Sequence, residues 1–226
     1  MLLQSRRAVL LVALLLPMGL KAEAPFSFAT TPGKLPKDVV PSSYDIRLKP
    51  NIEKRTFAGS ETVTVDVHKA TRAITLNVNA VTIASAKLVG SKDPAERVAV
   101  VAINATQQTA TLTFPEEIAP GSYQLLIDFA GVINQSGQGL FYATYQEEAS
   151  GEKKTMLGTQ MEPNDARRLF PCWDEPSFRA KFRLTSTVPA NFMAVSNMPV
   201  ESETNTSEGK EVRFAETPPM PSYLVV

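Results

Sequence analysis

Thr62-Val63-Thr64-Val65-Asp66-Val67 puts a β-branched apolar residue at every second position. Successive side chains of a β-strand point to opposite faces, so Val63, Val65 and Val67 share one face while Thr62, Thr64 and Asp66 share the other. The stretch predicts a strand with one buried and one solvated face. Upstream, Tyr44, Ile46 and Leu48 repeat the pattern, and downstream so do Ile74, Leu76 and Val78. The alternation returns in Ala110-Leu112-Phe114, in Tyr123-Leu125-Ile127-Phe129 and in Phe178-Ala180-Phe182-Leu184.

Turn-forming residues separate these runs: Pro50-Asn51, Lys92-Asp93-Pro94, Pro120-Gly121, Ser136-Gly137-Gln138-Gly139 and Pro189-Ala190-Asn191. Many short strands with such breaks predict an all-β fold, either an antiparallel sandwich or a larger curved sheet. The Pro- and Thr-rich stretch from Ala24 to Lys37 reads as an extended leader, and the polar stretch from Glu201 to Lys210 as an exposed hairpin loop.

The N-terminus carries a different signal. Arg6 and Arg7 precede an apolar run from Ala8 to Leu16, too short to span a bilayer as a mature helix. Ala22-Glu23-Ala24 then has the small-x-small spacing of a signal-peptidase site. Residues 1–24 therefore read as a signal peptide, cut after Ala24 or Ala22, of a protein exported to the periplasm or the extracellular space. The segment Ser5-Arg6-Arg7-Ala8-Val9-Leu10 also resembles a twin-arginine export motif, and an uncleaved anchor is the other alternative.

What remains after residue 24 is long enough to bury a core without staples. The single Cys172 excludes an intrachain disulfide framework, so packing must supply stability in spite of export. Lys plus Arg and Asp plus Glu balance at 23 each, with no basic run, which argues against nucleic acid or an anionic membrane as partner.

Gln160-Met161-Glu162 carries the main functional expectation. On a strand, an amide and a carboxylate two residues apart stand side by side with Met161 turned away, and that pair of acceptors suits a primary ammonium group. Catalytic machinery is not legible elsewhere. His68 is the sole histidine, a hydrolytic zinc site needs three protein ligands, and no Ser-His or Cys-His pairing or glycine-rich phosphate loop can be proposed. His68 reads as a solvated loop residue. Asp174 and Glu175 are adjacent, so on extended backbone they diverge and cannot flank one bond. With Arg167 and Arg168 nearby they are expected to brace the loop from Pro163 to Pro176, with Phe170, Cys172 and Trp173 packed beneath.

The run Thr159-Gln160-Met161-Glu162-Pro163-Asn164-Asp165-Ala166-Arg167-Arg168-Leu169-Phe170-Pro171-Cys172-Trp173-Asp174-Glu175-Pro176 resembles the N-terminal domain of zinc aminopeptidases of the aminopeptidase N and leukotriene hydrolase type. Supporting segments are Leu35 to Tyr44, Gly139-Leu140-Phe141-Tyr142 and Met220-Pro221-Ser222-Tyr223-Leu224. The resemblance implies a saddle-shaped, antiparallel, β-sandwich-like domain over 37–226, after a leader at 25–36, that packs against a thermolysin-like catalytic domain. It assigns Gln160 and Glu162 to recognition of the substrate's free α-amino group. The family's Gly-x-Met-Glu-Asn and His-Glu-x-x-His motifs do not occur in this sequence. The expectation is therefore a substrate-recognition domain without catalytic or metal-binding residues of its own, zinc belonging to a catalytic domain not included here. Whether the chain counts as an enzyme stays open. Tyr223 is expected to be a packed strand aromatic rather than the family's catalytic tyrosine. The abrupt apolar ending Ser222 to Val226 favours truncation, the alternative being a stand-alone, non-catalytic β domain that binds a peptide N-terminus or a protein partner.

Overall fold

The computed structural model describes residues 25–90 and 95–226. The expected signal peptide and the Lys92-Asp93-Pro94 turn lie outside the described residues. The chain divides into two units at Thr31 and Pro32. In the first, the N–H groups of Thr30 and Thr31 donate to the Ser27 carbonyl at 3.2 and 3.0 Å, so this part of the leader is turned rather than extended.

The second unit is built from strands. These are β1 (Val39–Asn51), β2 (Thr56–Val67), β3 (Thr71–Asn77), β4 (Val81–Gly90), β5 (Arg97–Val98), β6 (Val100–Asn104) and β7 (Thr109–Ile118). They continue with β8 (Gly121–Val132), β9 (Gly139–Gln146), β10 (Lys153–Gln160), β11 (Arg179–Val188), β12 (Val200–Thr206), β13 (Gly209–Phe214) and β14 (Met220–Pro221). A nine-stranded sheet runs β12-β13-β11-β1-β2-β8-β4-β5 with β14 beside β11, a three-stranded sheet runs β3-β7-β6, and β9 and β10 form a separate hairpin.

The alternation that predicted the strands also orients them. Val63 and Val65 are 0% exposed, and Tyr44, Ile46, Leu76, Leu112, Leu125 and Ile127 are buried as well. The polar residues between them stay half-buried or exposed, as a one-sided sheet requires. Tyr44 stacks on Phe182 at 4.8 Å between ring centroids and meets Phe170 edge-on at 6.0 Å, which joins the large sheet to the segment after β10.

Three features depart from the sequence expectations. First, β1 and β11 pair in parallel, Tyr44 opposite Phe182, inside a sheet that is otherwise antiparallel. Burial patterns are the same for both directions, so periodicity carries no sign of it. Second, the Glu201 to Lys210 stretch is largely strand: β12 is exposed along its whole length, at the sheet edge, and so shows no inside-outside alternation. Third, the row in β11 breaks after Phe182, since Thr185 rather than Leu184 is buried. Thr185 lies in register between Arg47 and Arg213.

Candidate functional site

The β9–β10 hairpin pairs from Lys153 opposite Gln146 to Gln160 opposite Gly139, and it ends there. The expected strand therefore does not continue through Glu162, which lies in the turn that follows. The alternation nevertheless persists through one more step: Gln160 is exposed, Met161 is 1% exposed and Glu162 is exposed. Burial of the Met161 side chain pins the backbone between the two polar residues. The backbone N–H of Glu162 donates to Gln160 Oε1 at 3.4 Å, so the Gln160 side chain folds towards Glu162 rather than away from it.

This contact has a chemical consequence. An amide presents an acceptor on one side and two donors on the other, whereas an ammonium offers donors only. With its oxygen turned to the Glu162 N–H, Gln160 keeps its acceptor end, which has a second lone pair, on the same side as the Glu162 backbone. The carboxylate of Glu162 makes no ion pair among the described residues.

The turn itself is held from within. Asp165 N–H donates to the Met161 carbonyl at 2.8 Å, and Arg168 Nε pairs with Asp165 Oδ1 at 2.7 Å. A short 3-10 turn over Ala166–Arg168 then delivers Arg167 into the interior. There Arg167 Nε donates to Asp174 Oδ2 at 2.9 Å, Nη2 donates to the Asp174 carbonyl at 3.0 Å and Nη1 donates to Gln108 Oε1 at 3.2 Å. Asp174 Oδ1 also accepts from Ser222 Oγ at 2.6 Å, and its backbone N–H donates to Asn77 Oδ1 at 3.0 Å. An isolated bridge between Asn77 and Cys172 ties the same segment to β3. Irregular backbone buried in a core needs such side-chain partners where no continuous ladder supplies them.

The expectation for Asp174 and Glu175 thus holds for one acid and changes for the rest. Arg167 braces Asp174, whereas Arg168 pairs with Asp165, and Glu175 Oε1 accepts the backbone N–H groups of Lys34 and Leu35 at 2.8 and 2.9 Å. Cys172 and Trp173 are buried as expected, and burial pushes the Cys172 thiol well above its ordinary value, so it packs as an inert hydrophobe. His68 is exposed just beyond β2. Tyr223 is half-buried in a 3-10 turn over Ser222–Leu224, not in a strand, because β14 ends at Pro221.

Two residues of this interior were not singled out by the sequence reading for the roles they take. Ser222 reaches Asp174 across 48 positions of sequence separation. Glu61 belongs to the inward row of β2, opposite Ile46 and Ile127, with both carboxyl oxygens buried and without a hydrogen-bond partner. Desolvation pushes its pKa well above the ordinary carboxylate range. An acid interrupting an otherwise apolar row was the one available clue.

A groove of about 620 Å³ opens on the polar face of the large sheet, lined by Ser43, Asp45, Thr62, Lys87 and Arg183 among others, and neither Gln160 nor Glu162 reaches it. Among the described residues no group of three His, Cys, Asp or Glu could hold a metal ion, so the zinc implied by the sequence resemblance finds no fitting ligand set here.

Comparison with known proteins follows the same line. The family described as Peptidase M1 N-terminal domain matches residues 40–224. Aminopeptidase N of Acetobacter pasteurianus is 42% identical over 226 residues, covering 97% of this chain and 62% of that protein. Aminopeptidase M1-C of Oryza sativa subsp. japonica is 40% identical over 194 residues, covering 85% of this chain and 21% of that protein. Aminopeptidase M1 of Arabidopsis thaliana is 39% identical over 196 residues, covering 85% and 22%. The chain thus spans less than two thirds of the length of each of these relatives.

Proposed function

The chain belongs to the peptidase M1 N-terminal domain family, and from that premise we propose that it is the substrate-recognition part of an exported zinc aminopeptidase, gripping the free α-amino group of a peptide. The observation that carries this reading is the exposed Gln160 and Glu162 pair on either side of the buried Met161, with the Gln160 oxygen held towards Glu162. An ammonium has three N–H donors; a carboxylate and an amide oxygen supply the charge and two of the acceptors it requires. An acylated N-terminus lacks the charge and most of the donors, so the pair selects for the end of a chain over its interior. The relatives named as aminopeptidases support the reading at the level of the family.

Gln160 and Glu162 bind and orient; they break no bond. Zinc, in this reading, supplies the Lewis-acid chemistry of hydrolysis from a catalytic domain outside these residues.

A hydrogen bond to a charged group contributes about 1.5–3 kcal/mol, or roughly ten- to a hundredfold in turnover. In an aminopeptidase containing this domain, Glu162→Ala should therefore lower kcat/KM for a free-amine aminoacyl substrate at least about tenfold. Its thermal unfolding should stay unchanged, since the Glu162 side chain is exposed. An unaltered kcat/KM would remove Glu162 from the site.

A further inference from the structure

We propose that Gly139 and Arg168 are positioning residues for the amine grip, forming a clasp that locks the turn carrying Glu162 against the strand end carrying Gln160. The inference rests on the recognition role proposed above and deepens it.

Gly139 is the register partner of Gln160, at the first position of β9. Its backbone has φ of +60°, in the left-handed region that favours glycine. A methyl group built on it would lie 2.7 Å from Arg168 Cβ. Arg168 is therefore seated on the bare Cα of Gly139, a closeness no other residue type permits. From that seat its Nε holds Asp165 Oδ1 at 2.7 Å, and the Asp165 N–H holds the Met161 carbonyl at 2.8 Å. Met161 is the residue between Gln160 and Glu162. The path Gly139, Arg168, Asp165, Met161 thus closes a loop around the pair, and each step is a direct contact.

The clasp also sets the charge. Arg168 engages the Asp165 carboxylate, so the unpaired negative charge at this turn is that of Glu162. A grip that must discriminate an ammonium from an amide depends on holding its two acceptors at a fixed separation, and displacement of one by an ångström is enough to weaken it strongly.

The test uses the chain itself, 15N-labelled and titrated with L-alaninamide, with N-acetyl-L-alaninamide as control. The Gln160 side-chain amide and the Glu162 backbone amide report the site. Wild type should respond to the free amine and not to the acetylated compound. Gly139→Ala, which alters no charge, should weaken that response at least about fivefold, and Arg168→Lys, which keeps the charge but loses the Nε donor, should fall between. Measurement well below each variant's unfolding temperature confines the comparison to folded protein, where a purely structural role would leave the dissociation constant unmoved. If Gly139→Ala fails to fold, Arg168→Lys and Asp165→Asn decide the question. Unchanged affinity and unchanged Gln160 and Glu162 shifts in folded variants would overturn the clasp and leave the grip standing. A wild type that ignores L-alaninamide would overturn the grip, and the clasp with it.

Discussion

The irregular segment from Met161 to Phe178 and the regular strand β2 each bury a carboxyl group to 3% exposure, Asp174 in the one and Glu61 in the other. Asp174 sits among donors: Arg167 Nε, Ser222 Oγ and the Arg167 backbone N–H all reach its oxygens. Glu61 has none, and its nearest register partners are isoleucines. The difference follows from backbone. A segment without ladder partners must recruit side chains to satisfy its polar groups, and those side chains serve a carboxylate as well. A central strand satisfies its own backbone, so an acid on its inward face finds no donor, and desolvation raises its pKa.

The sharpest way to break this contrast is to remove the partner of the satisfied acid. Arg167→Ala leaves a buried carboxylate without its counter-charge and should cost about 3–5 kcal/mol in urea unfolding. A loss below about 1 kcal/mol would mean that the Arg167 and Asp174 pair does not brace the loop.

Removing the unsatisfied acid should act in the opposite direction. Glu61→Met, similar in size and apolar, should stabilise the domain at pH 8 by about 1–3 kcal/mol. The pH dependence fixes the cause. The folded acid keeps its proton to higher pH than the unfolded one, so its contribution is complete below the ordinary glutamate value of about 4.3 and is lost as pH rises towards the raised folded value. Wild type should lose up to about 1.4 kcal/mol per pH unit in that window from this group, and Glu61→Gln should flatten the slope. Tyr44 and Cys172, which face the same interior, are themselves raised by burial, so below about pH 8 neither adds to the difference between the two proteins. Parallel slopes in wild type and Glu61→Gln would show that the carboxyl group escapes to solvent.

The smallest effect belongs to the solvated face. Lys181 Nζ pairs with Glu216 Oε1 at 2.9 Å, with side chains 49% and 33% exposed. Lys181→Ala should change unfolding free energy by about 0–1 kcal/mol, because water screens such pairs. A larger loss would extend the logic of the buried network to the surface.

Much of this was legible in the residues. The valines of β2 and the aliphatics of β8 announced their buried face because side-chain direction alternates by local geometry alone. The Gln160, Met161, Glu162 alternation was readable for the same reason, although the strand stops at Gln160 and the turn beyond it preserves the alternation by burying Met161. Edge strand β12 was hidden because a strand exposed on both faces has no apolar period. The individual partners of Arg168 and Glu175 were not legible for another reason: sequence proximity placed two arginines near two acids without pairing them, while the fold brought Asp165 to Arg168 and the Lys34 and Leu35 backbone to Glu175.

The amino-acid order alone determined which side of each principal strand turns inward and which family the motif around Gln160 resembles, since both depend on neighbours within a few positions. Tertiary structure decided the parallel pairing of β1 with β11, the seat of Arg168 on Gly139, the bond from Ser222 to Asp174 and the isolation of Glu61. Each of these depends on backbone course or on register between segments apart in the chain, and a periodic pattern constrains the face a residue occupies without specifying what it meets there.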